Sequence, residues 1–145
     1  MKEETIKILD KATDCLQSAQ VLFDTQHFEA TINRAYYCMF DAVQALFCEQ
    51  DLYVKTHQGT NSKFNQLYIK TGLLPKELSQ DFTKIFELRQ VSDYDFETTL
   101  TQEDAQIAME CAGKFLYAHS KLFAKTLTQY DTTHTTKTNF PRSPK

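Results

Sequence analysis

The sequence predicts an all-α protein, an antiparallel up-and-down bundle of about five helices. Three observations lead there. Apolar residues recur at three- and four-residue steps, helix breakers are nearly missing from the body of the chain, and no stretch alternates apolar and polar residues as a half-buried strand does. Only three glycines and three prolines occur among 145 residues, and two of the prolines, Pro141 and Pro144, lie at the C-terminal end. Little before them interrupts a helix, and there is no internal repeat.

From Glu4 to Phe23 the residues Ile6, Leu9, Leu16, Ala19, Leu22 and Phe23 form an apolar stripe between lysines and acids, an amphipathic first helix. The polar join DTQH leads to a second helix from about His27 to Glu49. There Ala35, Tyr36, Tyr37, Cys38, Met39 and Phe40 leave no polar face for a turn and a half, the mark of a buried helix. Phe64, Leu67 and Tyr68 mark a third, shorter helix, with Thr56 or Thr60 as its N-cap. It stops at Gly72, because glycine accepts the left-handed capping conformation and Pro75 then suits the first turn of the next helix. The fourth helix runs to about Ser92 on Leu78, Phe82, Ile85, Phe86 and Leu88. TQED at 101–104 has capping-box spacing, and Ala105, Ala108, Ala112, Phe115 and Leu122 give the fifth helix its stripe. Gly113 costs that helix about 1 kcal/mol relative to alanine, so a close helix crossing is expected around it. After about Leu127 the pattern gives way to a threonine-rich stretch. The expectation is a bundle over residues 1–126 and a disordered tail over 127–145.

Net charge is −3 and the isoelectric point about 5.8, so the broad attraction to phosphate backbones that marks most DNA-binding domains is missing; a local basic pocket stays open. The N-terminal MKEETIKILDKATD has no apolar core of signal-peptide length, and a cytoplasmic, non-membrane protein is expected. Cys15, Cys38, Cys48 and Cys111 show no C-x-x-C pair and fall in apolar contexts. Reduced, packed thiols are expected, with no metal and no cofactor.

The stretch NRAYYCMFDAVQALF, residues 33 to 47, sets Arg34 and Asp41 inside a strongly apolar run. Arg34 and Arg89 are the only arginines of the body, while thirteen lysines carry nearly all the remaining positive charge. Arginine's planar fork suits partly buried pairs with carboxylate or phosphate, whereas lysine is the ordinary solvated cation. Arg34 and Asp41 are about 10.5 Å apart along one helix, and Arg34 leans away from Asp41, so each needs a partner on another helix or another subunit. RQVSDYDF, residues 89 to 96, offers Arg89, Asp93 and Tyr94, and one polar cluster of Arg34, Asp41, Arg89, Asp93 and Tyr94 is expected. Such a cluster either fixes the register of the bundle or forms a phosphate- or RNA-binding cleft. Of the adjacent Tyr36 and Tyr37, one should pack while the other hydrogen-bonds the cluster or lies at a dimer contact.

RAYYCMFDA, KTHQG, KTGLLPKEL and FELRQVSDYDF, in this order, resemble the HEPN (higher eukaryotes and prokaryotes nucleotide-binding) domain family, in its branch of small stand-alone prokaryotic proteins. The resemblance covers about residues 5 to 122. It implies a helical bundle that dimerises and, for many relatives, a nucleotidyltransferase-type protein partner in a toxin–antitoxin or defence module. It also implies metal-independent ribonuclease chemistry for catalytic members, in which an arginine is followed after four to six residues by a histidine. The histidine moves protons at the ribose 2′-hydroxyl and the arginine holds the phosphate. This sequence departs from the pattern: from Arg34 the spacing ends on Asp41, and from Arg89 it falls on Tyr94, Asp95 or Phe96. His27, His119 and His134 read as structural or incidental. His57, in KTHQG, either packs at the entrance of the third helix or folds back toward the arginines.

The sequence alone therefore puts first a dimeric binding component that lacks the usual catalytic histidine and acts with a nucleotidyltransferase-type partner. The alternative is a metal-independent ribonuclease toxin with a rearranged site built from Arg34, Asp41, Arg89 and His57. A third reading is a nucleotide-sensing module in which the arginines hold phosphates.

Overall fold

The computed structural model describes residues 1–135, with side chains as far as residue 125. Five α-helices follow one another: α1 (Glu3–Asp24), α2 (Phe28–Glu49), α3 (His57–Phe64), α4 (Lys76–Tyr94) and α5 (Gln102–Thr135), with no strand among the described residues. α2 is the central helix and packs against α1, α4 and α5. Its buried residues run around its circumference, from Thr31, Ile32, Ala35 and Tyr36 through Cys38, Met39 and Asp41 to Phe47 and Cys48. All four cysteines are free and buried. Among the described residues no helix is long and apolar enough to cross a membrane.

The helix ends follow local chemistry. Thr101 and Asp104 form a reciprocal box: Thr101 Oγ1 accepts from the Asp104 amide at 3.2 Å, and Asp104 Oδ2 accepts from the Thr101 amide at 2.9 Å. Thr56 caps α3 by accepting from the Gly59 amide at 3.0 Å, and a Cβ on Gly59 would stand 2.8 Å from that Thr56 oxygen. Gly72 takes φ +77° as expected of the stop signal. Pro75 stands one position earlier than expected, as the N-cap of α4 rather than inside its first turn.

Three expectations are corrected. The third helix is not a single α-helix: after Phe64 the chain widens into a π-helical turn over Asn65–Ile69. There the Asn65 side-chain amide donates to the Asn61 carbonyl at 2.8 Å, and Ser79 on α4 donates to Asn65 Oδ1 at 2.7 Å, side-chain bonds that compete with the ordinary ladder. Gly113 marks no close crossing, since a Cβ there would meet nothing within 4 Å. The backbone of α5 continues to Thr135, past the point where the tail was expected to begin, because no proline or glycine stands between Leu127 and Thr135. The rest of the expected tail, 136–145, lies outside the described residues.

Candidate functional site

Tyr36 and Tyr37 are consecutive on α2, so their side chains leave the helix about 100° apart. Tyr36 turns inward, 2% exposed, and packs parallel to Phe82 of α4 with ring centroids 5.9 Å apart. Tyr37 lies at the boundary with solvent. α4 runs alongside and brings Arg89 over both rings, its guanidinium carbon 5.0 Å from each centroid. Arg34, one turn before Tyr37 on α2, lies 5.1 Å from the same Tyr37 centroid. Two guanidinium groups from different helices thus converge on one aromatic ring. This is the partly buried, aromatic-backed setting in which arginine is favoured over lysine.

The imidazole arrives from a third direction. Thr56 fixes the start of α3, and His57, its first residue, lies flat on Phe86 of α4, with centroids 3.4 Å apart and planes 4° apart. His57 Nδ1 is 2.9 Å from the Tyr36 hydroxyl. Burial, and then the charge of Arg89, lowers the His57 pKa below its ordinary value, which keeps the ring neutral near pH 7. Burial pushes the Tyr36 hydroxyl above the usual tyrosine range, so it stays protonated.

The expected five-residue cluster is only partly assembled. Arg89 and Asp93 form an ion pair one turn apart on α4, Nε to Oδ2 at 3.5 Å. Tyr94 is 79% exposed and does not join them, because the end of α4 turns it to solvent. Asp41 faces α1 two turns after Arg34: the Cys15 thiol donates to its Oδ2 at 3.9 Å. Arg34 reaches the same sulfur, Nη1 to Sγ at 3.9 Å, so Cys15 stands between the two charges that cannot meet along their own helix. Burial raises the Asp41 pKa, while Lys11, Arg34 and the Cys15 thiol act against that rise. Arg34 also donates from Nε and Nη2 to Asn33 Oδ1, at 3.3 and 3.0 Å.

Beside these residues a groove of about 430 Å³ opens between α1, α2 and α4, lined by Leu22, Glu29, Ala30, Asn33, Arg34, Ser92 and Asp93. Its chemistry is mixed, one guanidinium against two carboxylates. Of the other histidines, His27 shares a turn with Thr25, Oγ1 to Nδ1 at 3.0 Å, and His119 is buried on α5. The His134 side chain lies outside the described residues. Among the described residues no three of His, Cys, Asp and Glu gather as a metal site. Sequence reasoning gave packing and hydrogen bonding to different members of the Tyr36–Tyr37 pair, whereas Tyr36 does both, its ring against Phe82 and its hydroxyl on His57. Its signal was present in the sequence: a tyrosine rather than a phenylalanine in an otherwise apolar turn brings a hydroxyl that needs a partner.

Comparison with known proteins agrees with this architecture. A model of the HEPN domain matches residues 6–135. A UPF0332 protein of Thermotoga maritima is 32% identical over 112 residues, covering 77% of this chain and 85% of its own length. A Methanocaldococcus jannaschii protein named "Putative toxin MJ0142" is 30% identical over 115 residues, 79% of this chain and 78% of its own. A UPF0332 protein of Gloeobacter violaceus is 30% identical over 126 residues, 86% of this chain and all of its own. With a helical bundle centred on α2, a domain match over nearly the whole chain and relatives of this similarity, the chain belongs to the HEPN domain family.

Proposed function

We propose that the protein is the toxin-type member of a toxin–antitoxin or defence module, a metal-independent endoribonuclease that works in the cytoplasm as a homodimer with a nucleotidyltransferase-type partner. One observation carries the ribonuclease reading: although neither arginine is followed by a histidine at the family's spacing, His57 and Arg89 come from different helices to the same Tyr36, and the Arg89 charge acts on the imidazole. The Methanocaldococcus jannaschii relative named "Putative toxin MJ0142" supports the module.

In this reading Arg34 and Arg89 hold a phosphodiester while His57 takes the proton of the neighbouring ribose 2′-hydroxyl. The 2′-oxygen bonds to phosphorus as the bond to the 5′-oxygen breaks. A 2′,3′-cyclic phosphate remains, and the departing 5′-oxygen takes a proton from water. The lowered His57 pKa suits the base role, since the imidazole is already unprotonated near neutral pH. Asp41, turned toward Cys15 on α1, and Tyr94, in solvent, take no part.

A second reading, a dimeric binding component that cuts nothing, is favoured by Asp93, which pairs with Arg89, and by the net charge of −3, both of which weaken a hold on phosphate. Expression of the wild type and of Arg89→Ala in bacteria separates the two. The ribonuclease reading expects growth arrest and RNA loss with the wild type and neither with the variant. A wild type that is harmless at saturating expression favours the binding component.

A further inference from the structure

Tyr36 touches both the imidazole and a guanidinium of the site, through different parts of itself. Its hydroxyl meets His57 Nδ1 at 2.9 Å, and its ring face carries Arg89 at 5.0 Å. The ring is fixed from behind by Phe82, parallel at 5.9 Å and 3°, and by Phe40 at 5.9 Å. With the His57 ring flat on Phe86, its chemistry depends on which nitrogen carries the proton. That choice is set by the hydrogen bond the other nitrogen makes. No bond other than the one to Tyr36 is made by the ring nitrogens of His57 among the described residues.

We infer that Tyr36 is a positioning residue, whose phenolic oxygen accepts the His57 Nδ1 proton and so leaves Nε2 as the bare nitrogen that takes a proton from substrate. Both the catalytic half of this and the Nδ1-protonated tautomer rest on the ribonuclease reading, since the same contact also forms with Tyr36 as donor; that the hydroxyl holds the imidazole rests on the contact alone. The charged and titratable groups that bear on the ring are Arg89 on α4 and Tyr36 itself on α2.

The test uses the full chain, labelled with ¹⁵N at histidine. Tyr36→Phe removes only the hydroxyl and keeps the ring against Phe82 and Phe40. Tyr68→Phe is the matched control: that buried hydroxyl bonds Gln50 and the Leu46 carbonyl, away from the site. Wild type and Tyr68→Phe should show His57 mainly in the Nδ1-protonated form, and Tyr36→Phe should shift it toward the Nε2-protonated form common in water. Cleavage of bulk tRNA and of a single-stranded RNA oligomer should fall by about 10- to 100-fold in Tyr36→Phe, the usual effect of losing a partner that orients a catalytic group. An Nε2-protonated His57 in the wild type overturns the inference. So does a Tyr36→Phe spectrum identical to wild type, or a shifted tautomer with undiminished cleavage. If the wild type cuts neither RNA while the tautomer still follows Tyr36, the assignment of Tyr36 as the group that holds the imidazole stands and the ribonuclease reading falls.

Discussion

Arg34 and Arg89, on α2 and α4, close on a single ring: their guanidinium carbons lie 5.1 and 5.0 Å from the centroid of Tyr37. Each guanidinium is attracted by the π system of Tyr37. Tyr37→Leu keeps an apolar side chain but removes the face. It is expected to lower the unfolding free energy by about 1–2 kcal/mol, two cation–π contacts at about 0.5–1 kcal/mol each. Urea denaturation checks this, and a variant as stable as wild type would show that the ring carries no such energy.

His119 places an acid sensitivity in the core. It is 1% exposed on α5, its Nε2 has no hydrogen-bond partner among the described residues, and burial lowers its pKa from 6.5 to about 4. The unfolded chain therefore binds the proton first. The stability that His119 contributes is full above about pH 6.5 and is lost as pH falls toward 4, by about 3 kcal/mol at most. Thermal melts between pH 7 and 4 should show His119→Leu losing less stability on acidification than wild type. Parallel curves would mean that the imidazole is not buried in its neutral form.

Asp41 has the opposite sign. Its folded pKa is raised above the ordinary 3.8, so the carboxyl favours the fold in its protonated form, and that contribution is lost as pH rises through the raised value. Asp41→Asn, which keeps shape and hydrogen bonding, should be as stable as wild type or more so at pH 7. A loss above about 1 kcal/mol, the usual worth of a hydrogen bond, would instead mean that the charge is held firmly by Lys11 and Arg34.

Gly113 is a helix-interior glycine with open space where a Cβ would go. Gly113→Ala should add about 1 kcal/mol of stability. No gain in urea denaturation would point to a contact that the isolated protomer does not show.

These positions also show what a sequence can carry. α1, α2, α4 and α5 were legible because their signals are local: an apolar stripe, the box of Thr101 and Asp104, the stop at Gly72. The π turn was not, because it depends on Ser79 of another helix bonding Asn65. Within the site, Arg34, Arg89 and Asp93 were legible as charges inside apolar helices. Asp41 and Tyr94 were grouped with them because spacing along a helix does not say which neighbour each face meets; Asp41 meets Cys15 and Tyr94 meets solvent. The meeting of His57 with Tyr36 is a pairing across the fold, which no local pattern encodes.

The most direct measurement is the rate at which purified protein cleaves RNA in the presence of a metal chelator, wild type against His57→Gln. Both proteins are first shown to be folded by circular dichroism. Loss of a general base typically costs about 10²- to 10⁴-fold. The expected result is cleavage by the wild type to 2′,3′-cyclic phosphate ends, with His57→Gln slower by at least about 100-fold. A wild type that leaves the RNA intact, or a His57→Gln variant that cuts at the wild-type rate, would contradict the assignment of His57 and the two arginines as a ribonuclease centre.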